Sequence, residues 1–430
     1  MPATNPTVVN MEVVAKGMPK LWDLDHSTTY DKLKNALKNN WKITRTPNSN
    51  DFRAPMQVSA GGVYGAFNPE GGNFPETSGP KFTQMVQTAK HQAIGWDYNL
   101  SDQWYTEDPS LSTINITKEM MKDAMQAAKR AANASFFSDG FSGGAQGLIG
   151  RISAYDTGVC TMEGEFGANL FYPGMAVEGF DDDLSEHETS AVGSNLPKVD
   201  YVDTDNDKIK LTNLGSWTPV QNDYLAFPGV GATPAWVNGL YYFNNPSTSG
   251  SILGVQKSAY PQIVPVFESA GGGPIGKVQM LKILVKARQK RGGRIPKWTG
   301  IVHPVVSANW ALDGVSIAEF QRGSGQMPVL DLVPKGATED TVVMAGVTHI
   351  VEPLASRKRV DWINFENAGR VTLKEVGYIK NPQGGYLFQK RNSDGGLVAA
   401  YQFFIGWSEN FVVRDPGENA VVYNGAGVIA

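Results

Sequence analysis

Two segments of the chain repeat apolar residues with the spacing of an amphipathic helix. In residues 117–136 the repeated side chains are alanine and methionine, and Thr117 is the predicted N-cap. Twenty helical residues would span about 30 Å, and such small side chains would let the helix lie close against a sheet. The second stripe runs through residues 277–290 and ends at Gly292 and Gly293, which predicts a helix that stops there.

Alternating apolar and polar residues predict short strands over most of the remaining chain. They occur between residues 158 and 230, and again from residue 341 to residue 423, separated by turn-forming residues. Residues 82–98 alternate as one returning strand, whereas residues 236–268 are aromatic and loop-like. The pattern predicts an α+β chain with two clear helices.

The stretch 58–82 is rich in glycine and proline, which predicts an extended loop or long hairpin. It nevertheless contains Tyr64, Phe67 and Phe74, and aromatic side chains gain nothing in a loop surrounded by water. We therefore expect this loop, and the aromatic stretch 236–267, to face neighbouring molecules. Residues 1–57 are polar except for one short apolar stripe at residues 33–41, which predicts an arm that packs on something else.

The composition excludes several classes of protein. The chain has 430 residues, of which 41% are hydrophobic, so global disorder is excluded. Its single cysteine, Cys160, rules out an internal disulfide framework and a multi-cysteine zinc site. No signal peptide or apolar run of membrane-spanning length occurs, so we expect synthesis in the cytoplasm and no membrane partner. Only 19% of residues are charged, which leaves few charges to coat a free surface.

The net charge of −4 hides a strong local asymmetry. No acidic residue occurs between Glu268 and Asp313, whereas that stretch holds eight basic residues. Lys282, Lys286 and Lys290 follow at i, i+4 and i+8 on one helix face, where like charges repel one another. The alternatives are a solvated face, docking against an acidic neighbour, or contact with nucleic acid. An acidic stretch at residues 181–188, which includes Asp181, Asp182 and Asp183, has the opposite sign.

Three motif-like segments match known chemistry only in part. Residues 271–277 (GGGPIGK) fit a phosphate-binding loop, but Val278 replaces the hydroxyl residue that holds Mg²⁺, and Pro274 lacks an N–H. Residues 140–144 match a nucleophile elbow, but follow a helix instead of a strand. Residues 203–207 imitate the start of a calcium loop without its glycine and glutamate, so a hairpin turn is expected. The sequence thus predicts no catalytic residue, no metal site and no cofactor.

The order of these segments resembles the major capsid protein of tailed double-stranded DNA bacteriophages, the Hong Kong 97-type fold. The resemblance rests on the arm, the Gly/Pro-rich loop, the long Ala/Met helix, a β-rich insertion, and a basic helix leading to residues 292–304 (GGRIPKWTGIVHP). It implies an N-terminal arm (1–57), an E-loop (58–98), a P-domain with its spine helix (99–157), a β-rich insertion (158–232), an A-domain (233–375) and a return to the P-domain (376–430).

The resemblance implies a coat protein of the virion, with assembly and no enzymatic chemistry. Subunits would form hexamers and pentamers of an icosahedral shell around double-stranded DNA, together with a separate scaffolding protein, a portal and in some cases decoration proteins. The inter-subunit contacts would include the loop aromatics, the three lysines of the basic helix and the three aspartates named above. Two alternatives stay open: a cellular nanocompartment shell of the same fold, and a nucleotide-binding enzyme that uses residues 271–277.

Overall fold

The computed structural model describes the chain in segments: residues 42–44, 51–59, 61, 79–99, 128, 131–132, 134–138, 147–164, 167–182, 196–228, 236–310, 341–344, 346–386, 388–391 and 396–427. The chain divides into two compact units. The first comprises residues 1–40, 90–134 and 372–409, and the second residues 41–89, 135–371 and 410–430. The six domain boundaries expected from the sequence stay a prediction.

The elements of the described residues are mostly strands. The strands are β1 (Lys42–Thr44), β2 (Asp51–Ser59), β3 (Lys81–Thr88), β4 (Lys90–Asn99), β5 (Leu148–Asp156), β6 (Val159–Met162), β7 (Glu178–Phe180), β8 (Lys198–Asp203), β9 (Lys208–Thr212), β10 (Tyr224–Ala226), β11 (Ser251–Ile252), β12 (Val255–Gln256), β13 (Val266–Ser269), β14 (Thr299–Val302), β15 (Thr341–Met344), β16 (Val347–Val351), β17 (Val360–Ile363), β18 (Ala368–Tyr378), β19 (Phe388–Arg391), β20 (Leu397–Val413) and β21 (Ala420–Tyr423). The helices are α1 (Leu240–Phe243) and α2 (Lys277–Lys290), with 3₁₀ turns at Pro261–Ile263 and Pro416–Glu418. Residues 304–310 are also helical.

The first unit contains an antiparallel pair of long strands. Strand β4 pairs with β20 from Lys90 opposite Glu409 to Asn99 opposite Ala400. Trp96 stacks on Phe403 in this pair, with ring centroids 5.6 Å apart. The single returning strand predicted at residues 82–98 is therefore wrong. The chain forms two strands separated at Ala89, because β3 pairs with β2 and β4 pairs with β20.

Within the second unit, β2 and β3 form an antiparallel hairpin. Most of the stretch 58–82, where an extended loop or long hairpin is expected, lies outside the described residues, so that expectation stays a prediction. The outgoing strand of the observed hairpin is Asp51–Ser59. Residues 51–57, which the sequence assigned to the arm, thus belong to the hairpin. The alternation of Phe52, Ala54 and Met56 with polar residues was present in the sequence, but it is interrupted by Pro55 and was not recognised.

The insertion expected from the sequence is a six-stranded sheet in the order β7-β10-β5-β6-β9-β8. Five strands, β6 to β10, lie between residues 158 and 230, where short strands are predicted. The sheet begins earlier than predicted, at Leu148 in β5, which pairs with both β6 and β10. Leu148, Phe180 and Tyr224 are completely buried in its core.

A second six-stranded sheet has the order β13-β21-β17-β14-β16-β15. Strand β13 runs parallel to β21, and β14 runs parallel to β16. The core beside this sheet includes buried side chains of α2 and three tryptophans, Trp298, Trp310 and Trp362. Gly300 in β14 has a packing role, because a Cβ there would lie 1.9 Å from Cδ2 of the buried His349 ring.

The two predicted helices are confirmed as far as they are described. Helix α2 spans residues 277–290, and Gly292 and Gly293 follow it with φ of 61° and 95°, values that favour glycine. In the Ala/Met segment, residues 128, 131–132 and 134–136 are helical, and Ala128 is fully buried. The first residues of that helix lie outside the described part of the chain.

The aromatic side chains at residues 241–243 do not face outward, which corrects the sequence-based expectation for this part of the stretch 236–267. Tyr241, Tyr242 and Phe243 are buried within the chain in the short helix α1. The Tyr242 hydroxyl accepts a hydrogen bond from the backbone N–H of Leu253, and the Tyr241 hydroxyl accepts one from Ser356, both at 2.7 Å. These bonds satisfy the polar end of each ring, so both tyrosines can be buried at little cost.

Candidate assembly surface

Helix α2 uses only part of its circumference to pack on its own sheet. Met280, Ile283 and Ala287 are almost completely buried and contact the core of the second six-stranded sheet. Before the helix, the Gly276 N–H donates to Oε1 of Gln279 at 3.1 Å, which satisfies one of the free donors of its first turn. The remaining faces of the helix are exposed, so their side chains decide what the surface can bind.

The three lysines predicted as contact residues turn back toward strand β13. Lys282 Nζ lies 3.1 Å from Oε1 of Glu268, and Lys286 pairs with the other oxygen of the same carboxylate. Lys286 also donates to the carbonyl of Phe267 at 3.0 Å, and Lys290 donates to the carbonyl of Val264. The hydrogen bond from Lys286, assisted by that from Lys282, lowers the pKa of Glu268.

These contacts give the three lysines of α2 a role within their own chain. Strand β13 lies at the edge of its sheet, and lysines that satisfy edge carbonyls block pairing with another strand. The mutual repulsion inferred from the sequence is relieved in part by Glu268 of the same chain. This pairing could not be read from the sequence, because Glu268 lies 14 and 18 residues from its partners. The role of the three lysines between subunits stays a prediction.

The outward face of α2 carries an apolar stripe that the sequence analysis missed. Val278, Leu281 and Val285 follow at i, i+3 and i+7 and are 62%, 48% and 54% exposed. They lie on the side of the helix away from the buried Met280 and Ala287. The sequence did contain a signal for this stripe, because residues 277–290 have more apolar side chains than one buried helix face requires. Such a stripe is costly in water and typical of a surface that is covered in an assembly.

The β2–β3 hairpin has one buried and one open face. Met85 and Gln87 are buried, and Gln87 Nε2 donates to the carbonyl of Phe411 at 2.8 Å. On the opposite face Phe82 is 61% exposed and Val86 is 36% exposed. The three aromatics predicted as contact residues, Tyr64, Phe67 and Phe74, lie outside the described residues.

The predicted acidic contact residues follow strand β7. Asp181 is half-buried and Asp182 is exposed, whereas Asp183 lies outside the described residues. Burial raises the pKa of the nearby Asp223 carboxyl, and the charges of Asp181 and Asp182 raise it further. The end of β7 is therefore a region of negative potential. Its pairing with the basic helix of another subunit stays a prediction.

Comparison with known proteins assigns the fold. No protein-family model matches the sequence, and no curated protein is similar to it. The capsid asymmetric unit of cyanophage A-1(L) has a similar structure, with a TM-score of 0.50 and 9% sequence identity over 91% of this chain and 92% of that chain. The capsid of a native GTA particle follows with a TM-score of 0.43, 9% identity and coverage of 91% and 90%. Mycobacterium phage Bobi gives 0.42, 8% identity and coverage of 90% of both chains.

The chain has the Hong Kong 97-type capsid fold. The likeness to the cyanophage capsid covers nearly the whole length of both chains, so the fold is not confined to one unit. The α+β class expected from the sequence is confirmed, as is the resemblance to the Hong Kong 97-type fold.

Within this capsid fold, the glycine loop at residues 271–277 is a turn between β13 and α2. Its backbone N–H groups are engaged by the chain itself: Gly271 donates to Ser269 Oγ, Gly272 to the carbonyl of Asn424 and Gly273 to the carbonyl of Ala270. A phosphate cradle needs such N–H groups free to point at the ligand. The geometry therefore argues against the nucleotide-binding alternative.

The calcium-like segment of the capsid fold is a hairpin turn between β8 and β9, as expected. Oδ1 of Asp203 accepts hydrogen bonds from the backbone N–H groups of Asp205 and Asn206, which closes the turn. In the described part of the chain, no group of three or more His, Cys, Asp or Glu residues could hold a metal ion. The segment at residues 140–144 lies outside the described residues, which also contain no helix long and apolar enough to cross a membrane.

Proposed function

We propose that this chain is the major capsid protein of a tailed double-stranded DNA bacteriophage. The observation that carries the proposal is the capsid fold over nearly the entire chain, shared with the cyanophage A-1(L) capsid. Copies of the chain would form hexamers and pentamers, and these would close into an icosahedral head around DNA. A separate scaffolding protein and a portal would be its partners during assembly, and its role would be structural, without catalysis.

The exposed apolar surfaces support self-assembly. Two-stranded hairpins are marginal in water unless a face is covered, and the open face of β2–β3 carries Phe82 and Val86. The hairpin would serve as the E-loop and lie on an adjacent subunit. The stripe of Val278, Leu281 and Val285 on α2 is a second surface that neighbouring subunits would cover.

Expression of the chain with and without its phage assembly partners tests the proposal. We expect closed particles by negative-stain electron microscopy, and an absorbance ratio that reports DNA in particles isolated from infected cells. Particles that contain protein cargo and no nucleic acid would instead support the nanocompartment alternative. A chain that stays monomeric under all these conditions would contradict the proposal.

A further inference from the structure

A cationic cavity lies between α2 and the segment that leads into β13. Its volume is about 600 Å³, and its wall is formed by Thr248, Lys257, Ser258, Pro261, Val264, Pro265, Val266, Phe267, Lys286 and Lys290. The apolar part comes from the proline, valine and phenylalanine side chains. The three lysines are its only charged residues, so the described wall contains no carboxylate.

The Lys290 ammonium keeps donors available after its described contact within the chain. Each ammonium group has three N–H donors. Lys290 donates to the Val264 carbonyl, and Lys257, which is 3% exposed, donates to the Ser247 carbonyl at 3.0 Å. Glu268 lies outside the wall, where it binds Lys282 and Lys286.

The surroundings of Lys290 favour an added negative charge. Burial lowers the pKa of Lys290 to about 8, and the neighbouring Arg291 guanidinium contributes in the same direction. Asp415 opposes this effect, but its carboxylate lies 2.8 Å from Arg291, which it already binds. A carboxylate in the cavity would stabilise the charged form of Lys290.

We infer that this cavity binds the acidic segment Asp181–Glu188 of a second copy of the chain. The segment offers five carboxylates around Leu184, which matches a cavity with cationic groups and an apolar wall. Other exposed apolar side chains are poorer candidates for this cationic cavity, because basic residues lie next to them. Phe82 and Val86 lie beside Lys81 and Arg53, and Leu373 precedes Lys374. A contact between different patches of identical subunits is the kind that closes a ring. This inference rests on the proposed function, since it names one contact of the shell.

Cysteine cross-linking tests the contact with small changes to each surface. Ser258→Cys places a thiol at the cavity, Ser185→Cys places one in the acidic segment, and the two variants are mixed before assembly. Burial raises the pKa of the native Cys160 thiol to about 12, with a contribution from Asp223, so this cysteine stays unreactive. We expect a short bismaleimide to yield a species of twice the chain mass in assembled particles. In the matched control, Ser216→Cys, at another exposed serine, replaces Ser185→Cys. This control should yield at least tenfold less of the cross-linked species.

The outcomes separate this inference from the proposed function. Particles that assemble normally but give no cross-link above the Ser216→Cys control would overturn the inference and leave the capsid function intact. A double variant that carries both Ser185→Cys and Ser258→Cys tests whether the contact lies within one chain. A cross-link that forms only within single chains of this variant would overturn the role of a second copy. Failure of the unmodified chain to form any particle would instead contradict the proposed function. Asp182→Asn with Asp183→Asn should weaken the cross-link at least threefold, and an unchanged yield would overturn the role of the carboxylates.

Discussion

The buried ion pair between Arg359 and Asp361 offers a sharp test of how the second unit is stabilised. Arg359 donates to both carboxylate oxygens of Asp361, at 2.7 Å and 2.9 Å, and the two side chains are only 5% and 4% exposed. Asn244 Nδ2 donates to the same carboxylate at 3.0 Å, and the guanidinium lies 4.1 Å from the centre of the Tyr241 ring. The pair thus joins β17 to the aromatic segment around α1.

Asp361→Asn should destabilise the subunit strongly. The substitution keeps the shape of the side chain but leaves the Arg359 charge buried without its carboxylate, which costs about 3–5 kcal/mol. If the free energy of unfolding falls by about 3 kcal/mol per molar urea, the unfolding midpoint should decrease by at least about 1 M. Tryptophan fluorescence of the unassembled subunit reports the transition, since Trp362 is the neighbouring residue in β17.

Glu366→Gln is the matched control. Lys297 and Glu366 form a pair with a similar distance, 2.8 Å, but their side chains are 79% and 54% exposed. An exposed pair contributes about 0–1 kcal/mol, so this variant should unfold close to the unmodified chain. Equal midpoint shifts for the two variants would refute the reasoning that burial decides the effect.

Three further predictions concern assembly, pH and nucleotide binding. Phe82→Ser should lower the yield of particles at least fivefold with an unchanged urea midpoint, because under the proposed function a neighbouring subunit covers the open hairpin face. Loss of folding instead would contradict this. Burial, assisted by the charge of Arg357, lowers the pKa of His303 to about 4, below its ordinary value near 6.5. Protonation therefore favours the unfolded chain, and the free energy of unfolding should fall as the pH drops from 6.5 toward 4. The loss by pH 5 should be about 2 kcal/mol in urea unfolding and should be reduced in His303→Asn; parallel pH profiles for the two proteins would contradict it. Equilibrium dialysis should detect no ATP or GTP binding to the purified subunit, and binding that disappears in Lys277→Ala would overturn the structural account of the glycine loop.

Local patterns predicted the elements well where neighbouring residues decide the outcome. Helix α2 begins and ends as its apolar repeat and its two following glycines indicate. The short strands of the insertion likewise follow from alternation and turn residues. The sequence order also sufficed for the resemblance to the capsid fold.

Contacts between distant segments were beyond the sequence. The division at Ala89 depends on which strand each segment pairs with, and the burial of Tyr241 depends on the distant Ser356. The same holds for Glu268, whose partners on α2 became visible only once strand and helix were packed together. Surface patches such as that of Leu281 are hidden for the same reason, since exposure depends on the complete fold.

Electron microscopy of the purified, assembled chain is the direct test of whether this protein forms a capsid shell. We expect closed icosahedral particles whose capsomers are hexamers and pentamers of this one polypeptide. A preparation that folds, shows a single monomeric species in sizing, and forms no particles at any salt concentration or with its phage partners would contradict it.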